Sequence, residues 1–209
     1  MYYAHVLEIV RRIGVVVAII NTSEWFSELK SGIDQTKIKV DGEYADWDKA
    51  QNKFTDLINQ TRSGYGTVWW VGNGGSNSIC SHLAQDVLGK LRMASFAIND
   101  PSLLTCMAND FGYENVYSRP LSFVAKKNDL LIAISSSGNS QNIVSAIEIS
   151  RSIGIPIVTL SGFNPENRIE LLDSDLSFYF PSSHYGPVEV GHMALLHALI
   201  EVQYFREVE

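Results

Sequence analysis

The chain contains very little cysteine, with only Cys80 and Cys106 among its 209 residues. Two cysteines are too few for a disulfide framework or a cysteine-based zinc site. Free thiols are typical of proteins in a reducing compartment, and free cysteine is among the most buried residue types. We therefore expect two free, buried thiols and a cytoplasmic protein.

The chain also lacks an excess of positive charge. It has 16 lysines and arginines against 23 aspartates and glutamates, which gives a formal net charge of −7. No global basic field is present to hold the phosphates of a nucleic acid, so we expect no nucleic acid partner. Local phosphate binding is not excluded, because backbone amides and helix dipoles do not register in a charge count.

A membrane-spanning run is missing as well. The most apolar stretch, residues 6–20, is interrupted by Glu8, Arg11 and Arg12 and falls short of the ~18 apolar residues that a span needs. A signal peptide places its charges before the apolar run, but no lysine or arginine precedes Arg11. We expect no membrane association, and we expect this stretch to pack on the core or on a partner subunit.

The chain has no repeats, no low-complexity tracts and no proline-rich linker, so its length favours one structural domain. We predict a helical N-terminal region over residues 1–64, which packs on the core and on partner subunits. It contains one helix in "SEWFSELKSGI", capped by Ser23, and another in "ADWDKAQNKFTDLINQ". The ligand-binding part is predicted to span residues 65–209.

From Gly66 onward, short apolar segments alternate with amphipathic ones. The predicted strands are "TVWWVG", "ASFAI", "DLLIAIS", "PIVTLSG" and "LSFYFP", with helices between them and a last helix from about Pro187 to Arg206. This alternation predicts a doubly wound α/β fold, with a parallel sheet covered by helices on both faces. Ligands of such folds bind beyond the carboxyl ends of the strands.

One predicted strand exit, "ISSSGNSQN" over residues 134–142, is rich in serine. The free N–H groups and the dipole of the following helix favour a negative group, and serine hydroxyls add donors without bulk. This design suits a phosphate monoester held by Ser135, Ser136, Ser137 and Ser140. The alternative is a capped helix preceded by a serine-rich turn, since serine and asparagine favour helix caps in any case.

The other strand exit, "VGNGGSNS", is rich in glycine. It lacks the "GK" followed by serine or threonine of a P-loop, and G-x-G-x-x-G cannot be fitted to it. We therefore expect no nucleotide cofactor.

Histidines and carboxylates recur on two predicted helices. His82 and Asp86 are four residues apart and share a helix face. Glu189 and His197 lie on the last helix and point within roughly 80° of each other. These four residues are a chemically reasonable set for zinc, although surface or capping roles are the alternative. His192, on the same helix, is expected to be packed or to support a ligand.

The motifs "GNGGS", "MANDFGYENVYSR" and "ISSSGNSQNIVSAIE" together resemble the sugar isomerase (SIS) domain family, and within it the phosphoheptose isomerase branch. The resemblance spans about residues 46–201. It implies a five-stranded parallel sheet between helices and a homotetramer with active sites between subunits. It also implies conversion of sedoheptulose 7-phosphate into D-glycero-D-manno-heptose 7-phosphate through an enediol, for lipopolysaccharide or capsule heptose synthesis.

The resemblance also implies roles for individual residues. The phosphate would be held by Ser135, Ser136, Ser137 and Ser140. The sugar would be contacted by Asn73, Gly74, Gly75, Ser76, Asp86, Lys90, Asn109, Asp110 and Glu189. Asp86 would be the base and His197 the acid of proton transfer. Zinc, which several members bind, would be held by His82, Asp86, Glu189 and His197.

The chain departs from the family pattern at the sugar end. Asp86 stands where glutamate is common, Glu189 where glutamine is common and Lys90 where arginine is common. Asn77 replaces a histidine and Gly186 an aspartate. These changes suggest adjusted geometry or a different sugar phosphate.

Two other functions are compatible with the same motifs. A related SIS tetramer binds the bacterial replication initiator, and other SIS domains bind sugar phosphates as regulatory modules without turning them over. The polar set of Asp86, Glu189 and His197 favours the enzyme.

Overall fold

The computed structural model describes residue 19 and residues 21–208. The stretch 6–20, which we expected to pack on the core or on a partner, therefore lies outside the described residues except for residue 19. The helices are α1 (Thr22–Asp34), α2 (Trp47–Ser63), α3 (Gly75–Lys90), α4 (Pro101–Phe111), α5 (Ser118–Val124), α6 (Gln141–Ile153) and α7 (Tyr185–Val208). The strands are β1 (Lys37–Val40), β2 (Glu43–Ala45), β3 (Thr67–Gly72), β4 (Ala94–Ala97), β5 (Leu130–Ser135), β6 (Ile157–Gly162) and β7 (Leu176–Phe180).

These strands form one sheet in the order β2-β1-β7-β6-β5-β3-β4. The five predicted strands, β3 to β7, all run parallel to one another, so the doubly wound α/β class is confirmed. Every residue of β5 and β6 is buried, as expected for central strands covered on both faces.

The strand count was wrong, because the sheet has seven strands within the described residues and not five. A hairpin of β1 and β2 joins the edge of the sheet, where β1 pairs antiparallel with β7. The residues between the strands, Asp41 and Gly42, have φ of 50° and 85°, the left-handed conformation that a tight two-residue hairpin requires. The region before residue 65 is therefore not wholly helical.

Details of the helices also differ from expectation. Asn21, and not Ser23, caps α1 by accepting the N–H of Glu24 at 2.9 Å. A 3-10 turn (Tyr113–Asn115) and α5 were not predicted. No helix in the described part of the chain is both long and apolar enough to cross a membrane.

The expectation of two buried thiols is correct for one of them. Both cysteines are free, and Cys80 on α3 is buried, which raises the pKa of its thiol. Cys106 is exposed because α4 buries none of its residues completely.

The strand order positions a binding crevice. From β3 the chain proceeds to β4 at one edge, and it then returns to β5 on the other side of β3. Such a reversal leaves a crevice beyond the carboxyl ends of the two strands. The exits of β3 and β5 carry the glycine-rich and the serine-rich loops.

Candidate active site

The serine-rich loop connects β5 to α6. Ser135 ends β5, Ser140 caps α6, and the Ser135 hydroxyl donates to the Ser140 hydroxyl at 3.2 Å. Gly138 has a φ of +64°, and a Cβ there would lie 2.0 Å from Oδ1 of Asn167. Only glycine fits this position, so the loop is a tight turn pressed against the segment that contains Asn167.

The glycine-rich loop connects β3 to α3. Gly74, with φ +53°, is the N-cap of α3, and Gly75 is its first residue. A Cβ on Gly75 would lie 2.4 Å from Oε2 of Glu189, so this carboxylate from α7 rests directly on the first turn of α3. The positive end of a helix dipole favours a carboxylate there. Burial in turn raises the pKa of Glu189.

Both loops open into one cleft of about 740 Å³. The residues singled out from the sequence that line it are Asn73, Ser76, Ser135, Ser136, Ser137, Ser140 and Glu189. The residues that the sequence reasoning missed are Tyr113, Glu114, Gln141, Asn142 and Tyr185. Hydroxyls and amides predominate, which is a suitable lining for a phosphorylated polyol.

A pair of amide side chains ties the two loops together. Asn73 donates to Oδ1 of Asn142 at 2.9 Å and accepts from Nδ2 of Asn142 at 2.8 Å. Tyr113 adds a third bond by donating to Oδ1 of Asn73 at 3.1 Å. The tyrosine and Asn142 both lie within the motifs quoted above, which was the one available signal for them.

A second cluster lies further along α3 and α7. One ligand atom each from His82, Asp86 and His197 lies within 4.8 Å of the others. Nδ1 of His197 is 3.5 Å from Oδ2 of Asp86, and this buried nitrogen has no hydrogen-bond partner. Two imidazoles and a carboxylate are ligands that zinc accepts, so the trio could hold a metal ion.

Lys90 belongs to the same cluster. Its ammonium lies 3.0 Å from Oδ2 of Asp86 and 3.0 Å from Oε1 of Glu201. Hydrogen bonds to these two carboxylates raise the pKa of Lys90. The ammonium thus fixes the same oxygen of Asp86 that lies 3.5 Å from Nδ1 of His197.

The expected metal quartet is not gathered within one chain. The contacts of Gly75 with Glu189, His82 with His197 and Lys90 with Glu201 show that α3 and α7 run in the same direction. Glu189 and His197 are eight residues apart, about 12 Å along the helix. Glu189 therefore lines the cleft, whereas the possible metal ligands are His82, Asp86 and His197.

Two more expected sugar contacts lie outside the cleft lining. Asn109 and Asp110 are exposed at the end of α4, where Asn109 donates to Oδ1 of Asp110 at 2.8 Å. Gly74 is also exposed, with open space around its Cα.

Two of the departures from the family pattern have local structural partners. Asn77 donates to the carbonyl of Gly72 at 3.0 Å and so holds the end of β3. Gly186 is covered by the indole of Trp25, since a Cβ on this glycine would lie 3.1 Å from Nε1. A longer residue at position 186 would have to displace Trp25.

His192 is completely buried on the inner side of α7. Its Nε2 lies 2.9 Å from the carbonyl oxygen of Ser161, which requires Nε2 to be the protonated nitrogen. Burial lowers the pKa of His192 to about 4. This histidine is a neutral packing residue that joins α7 to β6.

The loops at the β3 and β5 exits, in this sheet order, are the arrangement of a SIS domain. Residues 45–162 match the SIS domain family, which is more than half of the chain. The chain therefore belongs to this family.

Several similar curated proteins are phosphoheptose isomerases. The enzyme of Tolumonas auensis is 38% identical over 141 residues, which are 65% of this chain and 72% of that protein. The enzyme of Serratia proteamaculans is 35% identical over 182 residues, 84% of this chain and 92% of the relative. The solved phosphoheptose isomerase of Neisseria gonorrhoeae shares the fold, with a TM-score of 0.75 at 22% identity over 87% of this chain and 95% of that one.

Proposed function

We propose that this protein is a sugar-phosphate aldose–ketose isomerase that interconverts sedoheptulose 7-phosphate and D-glycero-D-manno-heptose 7-phosphate. The observation that carries the proposal is the common cleft. A serine-rich loop suited to a phosphate and a glycine-rich loop open into it together, in a chain whose similar relatives are phosphoheptose isomerases. Heptose synthesis for lipopolysaccharide or capsule, in the cytoplasm, is the corresponding cellular role.

In this proposal the phosphate lies on the loop from Ser135 to Ser140. The hydroxyls donate to its oxygens, and the first-turn amides of α6 add donors and the favourable end of the helix dipole. Asn73, Ser76 and Glu189 then face the hydroxyl groups of the sugar from the neighbouring loop and from α7.

Proton transfer is assigned to Asp86 and His197. Asp86 removes a proton from the carbon next to the carbonyl, while the acid His197 protonates the carbonyl oxygen, and an enediol results. Asp86 then returns the proton to the former carbonyl carbon, while the hydroxyl on the other carbon gives its proton back to His197 and becomes the new carbonyl. Zinc, held by His82, Asp86 and His197, would when bound stabilise the negative charge that develops on the oxygens.

We also propose a homotetramer with active sites between subunits. Asp86 and His197 do not line the cleft of their own chain. Asp86 lies about 15 Å further along α3 than the lining residue Ser76. His197 lies about 12 Å further along α7 than the lining residue Glu189. An extended heptose phosphate spans only about 8 Å from its carbonyl carbon to phosphorus, at about 1.2 Å per bond. A neighbouring subunit that places its own trio over the cleft would shorten the distance.

The proposal is tested by incubating the purified protein with a panel of ketose phosphates and measuring aldose products. Asp86→Asn and His197→Ala should each lower turnover by at least about 10²-fold, the scale of losing a general acid or base. Binding without turnover of any ketose phosphate would instead favour a regulatory SIS module.

The phosphate loop is tested by binding. Replacing both Ser137 and Ser140 with alanine should weaken sugar-phosphate affinity by roughly 2 kcal/mol, at about 0.5–1.5 kcal/mol per neutral hydrogen bond. Ser152→Ala, an exposed hydroxyl at the other end of α6, is the matched control and should leave affinity unchanged. Equal affinities in calorimetric titrations would refute the phosphate assignment.

Subunit mixing tests the shared site. The Ser137/Ser140 double variant and His197→Ala are each expected to be impaired, and refolding them together produces mixed oligomers. If loop and acid come from different chains, part of the activity returns. Activity that stays at the level of the parent variants would mean that each chain carries its own complete site.

A further inference from the structure

The cleft lacks a positive charge to balance a phosphate. Of the described residues that line it, none is a lysine, arginine or histidine, whereas two are the carboxylates Glu114 and Glu189. A sugar phosphate brings up to two negative charges into this surrounding. Neutral hydroxyls and amides can solvate that charge, but they cannot offset two like-charged side chains.

Arg168 is the cation that the fold holds beside the serine-rich loop. It lies in the segment after β6 and follows Asn167, the residue against which Gly138 packs. The backbone N–H of Arg168 donates to Oδ1 of Asn139 at 3.0 Å. Its Nη1 donates to Oε1 of Gln141 at 2.7 Å, and Gln141 is a lining residue of the cleft at the first turn of α6.

The charge of Arg168 is not used elsewhere. In the described part of the chain no carboxylate oxygen lies within 4.0 Å of its guanidinium, so its charge forms no ion pair there. Arg168 is exposed, and among the described residues its side chain hydrogen-bonds to a neutral amide, that of Gln141. On exchanging that amide for a phosphate oxygen the guanidinium would gain a hydrogen bond to a charged group, which is stronger than one to a neutral amide.

We infer that Arg168 is a phosphate-binding residue, which leaves Gln141 and closes on the anion when a phosphorylated ligand occupies the serine-rich loop. The backbone anchor to Asn139 keeps the arginine at the loop in both states. The resting bond to Gln141 holds the guanidinium at the rim of the cleft. The inference rests on the proposed function only for the identity of the sugar, because the recognised group is the phosphate.

The experiment measures the dissociation constant of inorganic phosphate at low ionic strength by calorimetry. Arg168→Gln removes the charge but keeps a side-chain donor for Gln141, and it should weaken binding about tenfold. Arg168→Lys keeps the charge and should stay within about threefold of the wild type. The difference between wild type and Arg168→Gln should shrink in 1 M salt, where the Debye length falls to about 3 Å.

Arg151→Gln is the matched control. Arg151 is an exposed arginine at the far end of the same helix, where it bonds the carbonyl of Asp173. Its replacement makes the same change in net charge about 15 Å away along α6, so phosphate binding should change less than twofold. Equal weakening in both variants would assign the effect to net charge and overturn the inference.

Kinetics separates this inference from the proposed function. In the isomerase assay Arg168→Gln should raise KM for the ketose phosphate about tenfold with kcat nearly unchanged, because the phosphate lies far from the transferred proton. Unchanged phosphate binding and KM in an active Arg168→Gln enzyme would overturn the role of Arg168 and leave the isomerase intact. Phosphate binding that depends on Arg168, in a protein without any turnover, would support the role of Arg168 and refute the isomerase.

Discussion

At the scale of single residues, the contact between Asn73 and Asn142 is the point where the two loops of the cleft depend on each other. Each amide donates to the other, so neither loop can shift without breaking a bond. Asn142 also accepts the N–H of Ile143 at 3.0 Å in the first turn of α6. Asn142 is thus a positioning residue, and it fixes the position of the Asn73 side chain in the cleft wall.

We predict that Asn142→Ala lowers kcat/KM about tenfold, mostly through kcat, because two hydrogen bonds that orient Asn73 are lost at about 0.5–1.5 kcal/mol each. Steady-state kinetics and a thermal melt measure the effect and the accompanying change in stability. Ser152→Ala on the same helix is the control. Wild-type kinetics for the asparagine variant would mean that Tyr113 and Tyr117, which both donate to Oδ1 of Asn73, suffice to position it.

The second residue-scale prediction concerns the metal. We predict that zinc raises the melting temperature. Because His82 belongs to the trio and Glu189 does not, His82→Ala should abolish this rise, while Glu189→Gln should keep most of it. A ligand at a hundredfold excess over its dissociation constant stabilises by about 2.7 kcal/mol. The test compares melting curves with zinc and with a chelator. A complete loss in Glu189→Gln would restore the quartet that the sequence suggested.

At the scale of elements, one buried carboxylate joins the amino-terminal ends of two central strands, β3 and β5. Asp129, at the start of β5, accepts the N–H of Thr67, the indole N–H of Trp69 and the N–H of Lys126, each at 2.8 Å. β3 and the turn before β5 are thereby joined on the side opposite the cleft. All three donors would lose their partner if the carboxylate were removed.

We predict that Asp129→Ala costs about 2–4 kcal/mol of unfolding free energy, since leaving a buried donor unpaired costs about 1–3 kcal/mol and these donors are partly buried. Urea unfolding at neutral pH measures the loss. The matched change Asp48→Ala, at an exposed site in the first turn of α2, should alter stability by less than about 1 kcal/mol. A midpoint for Asp129→Ala equal to that of Asp48→Ala would contradict the role of this carboxylate.

Elements with a strong local pattern were predictable from the sequence, and those whose form depends on distant partners were not. The continuous apolar runs of β5 and β6 identified central strands directly. The hairpin carried a signal too, because Ile38 and Val40 alternate with lysines before the Asp41–Gly42 turn. Its strands of four and three residues gain their stability from pairing with β7, which local reasoning does not see.

At the scale of the whole molecule, dependence on distant partners also explains why the site was only partly predictable from the sequence. The two loops were predictable because each is local to one strand exit. Helical angles correctly suggested that Glu189 and His197 share a face, but they do not say which part of α3 lies opposite each of them. The parallel packing of α3 and α7 decides that, and it assigns one residue to the cleft and the other to the trio.

The last prediction concerns the stability of the whole fold in acid, where His192 joins α7 to the central sheet. Its pKa is lowered to about 4 from 6.5 because the ring is buried. Between these pH values the unfolded chain binds a proton that the folded chain does not, so stability is lost as the pH falls below 6.5. At pH 5 the loss from this residue should be about 2 kcal/mol, at 1.36 kcal/mol per pH unit.

Urea unfolding at fixed protein concentration, at pH 7.5 and at pH 5, measures this dependence. His192→Gln can still donate to the carbonyl of Ser161, and it should be less stable than the wild type at pH 7.5 but lose about 2 kcal/mol less on acidification. His82→Gln, studied with a chelator present, changes an exposed histidine and should retain the full acid sensitivity. If His192→Gln is as acid-sensitive as the wild type, the proton enters elsewhere, and the contact between α7 and β6 does not set the acid limit of the fold.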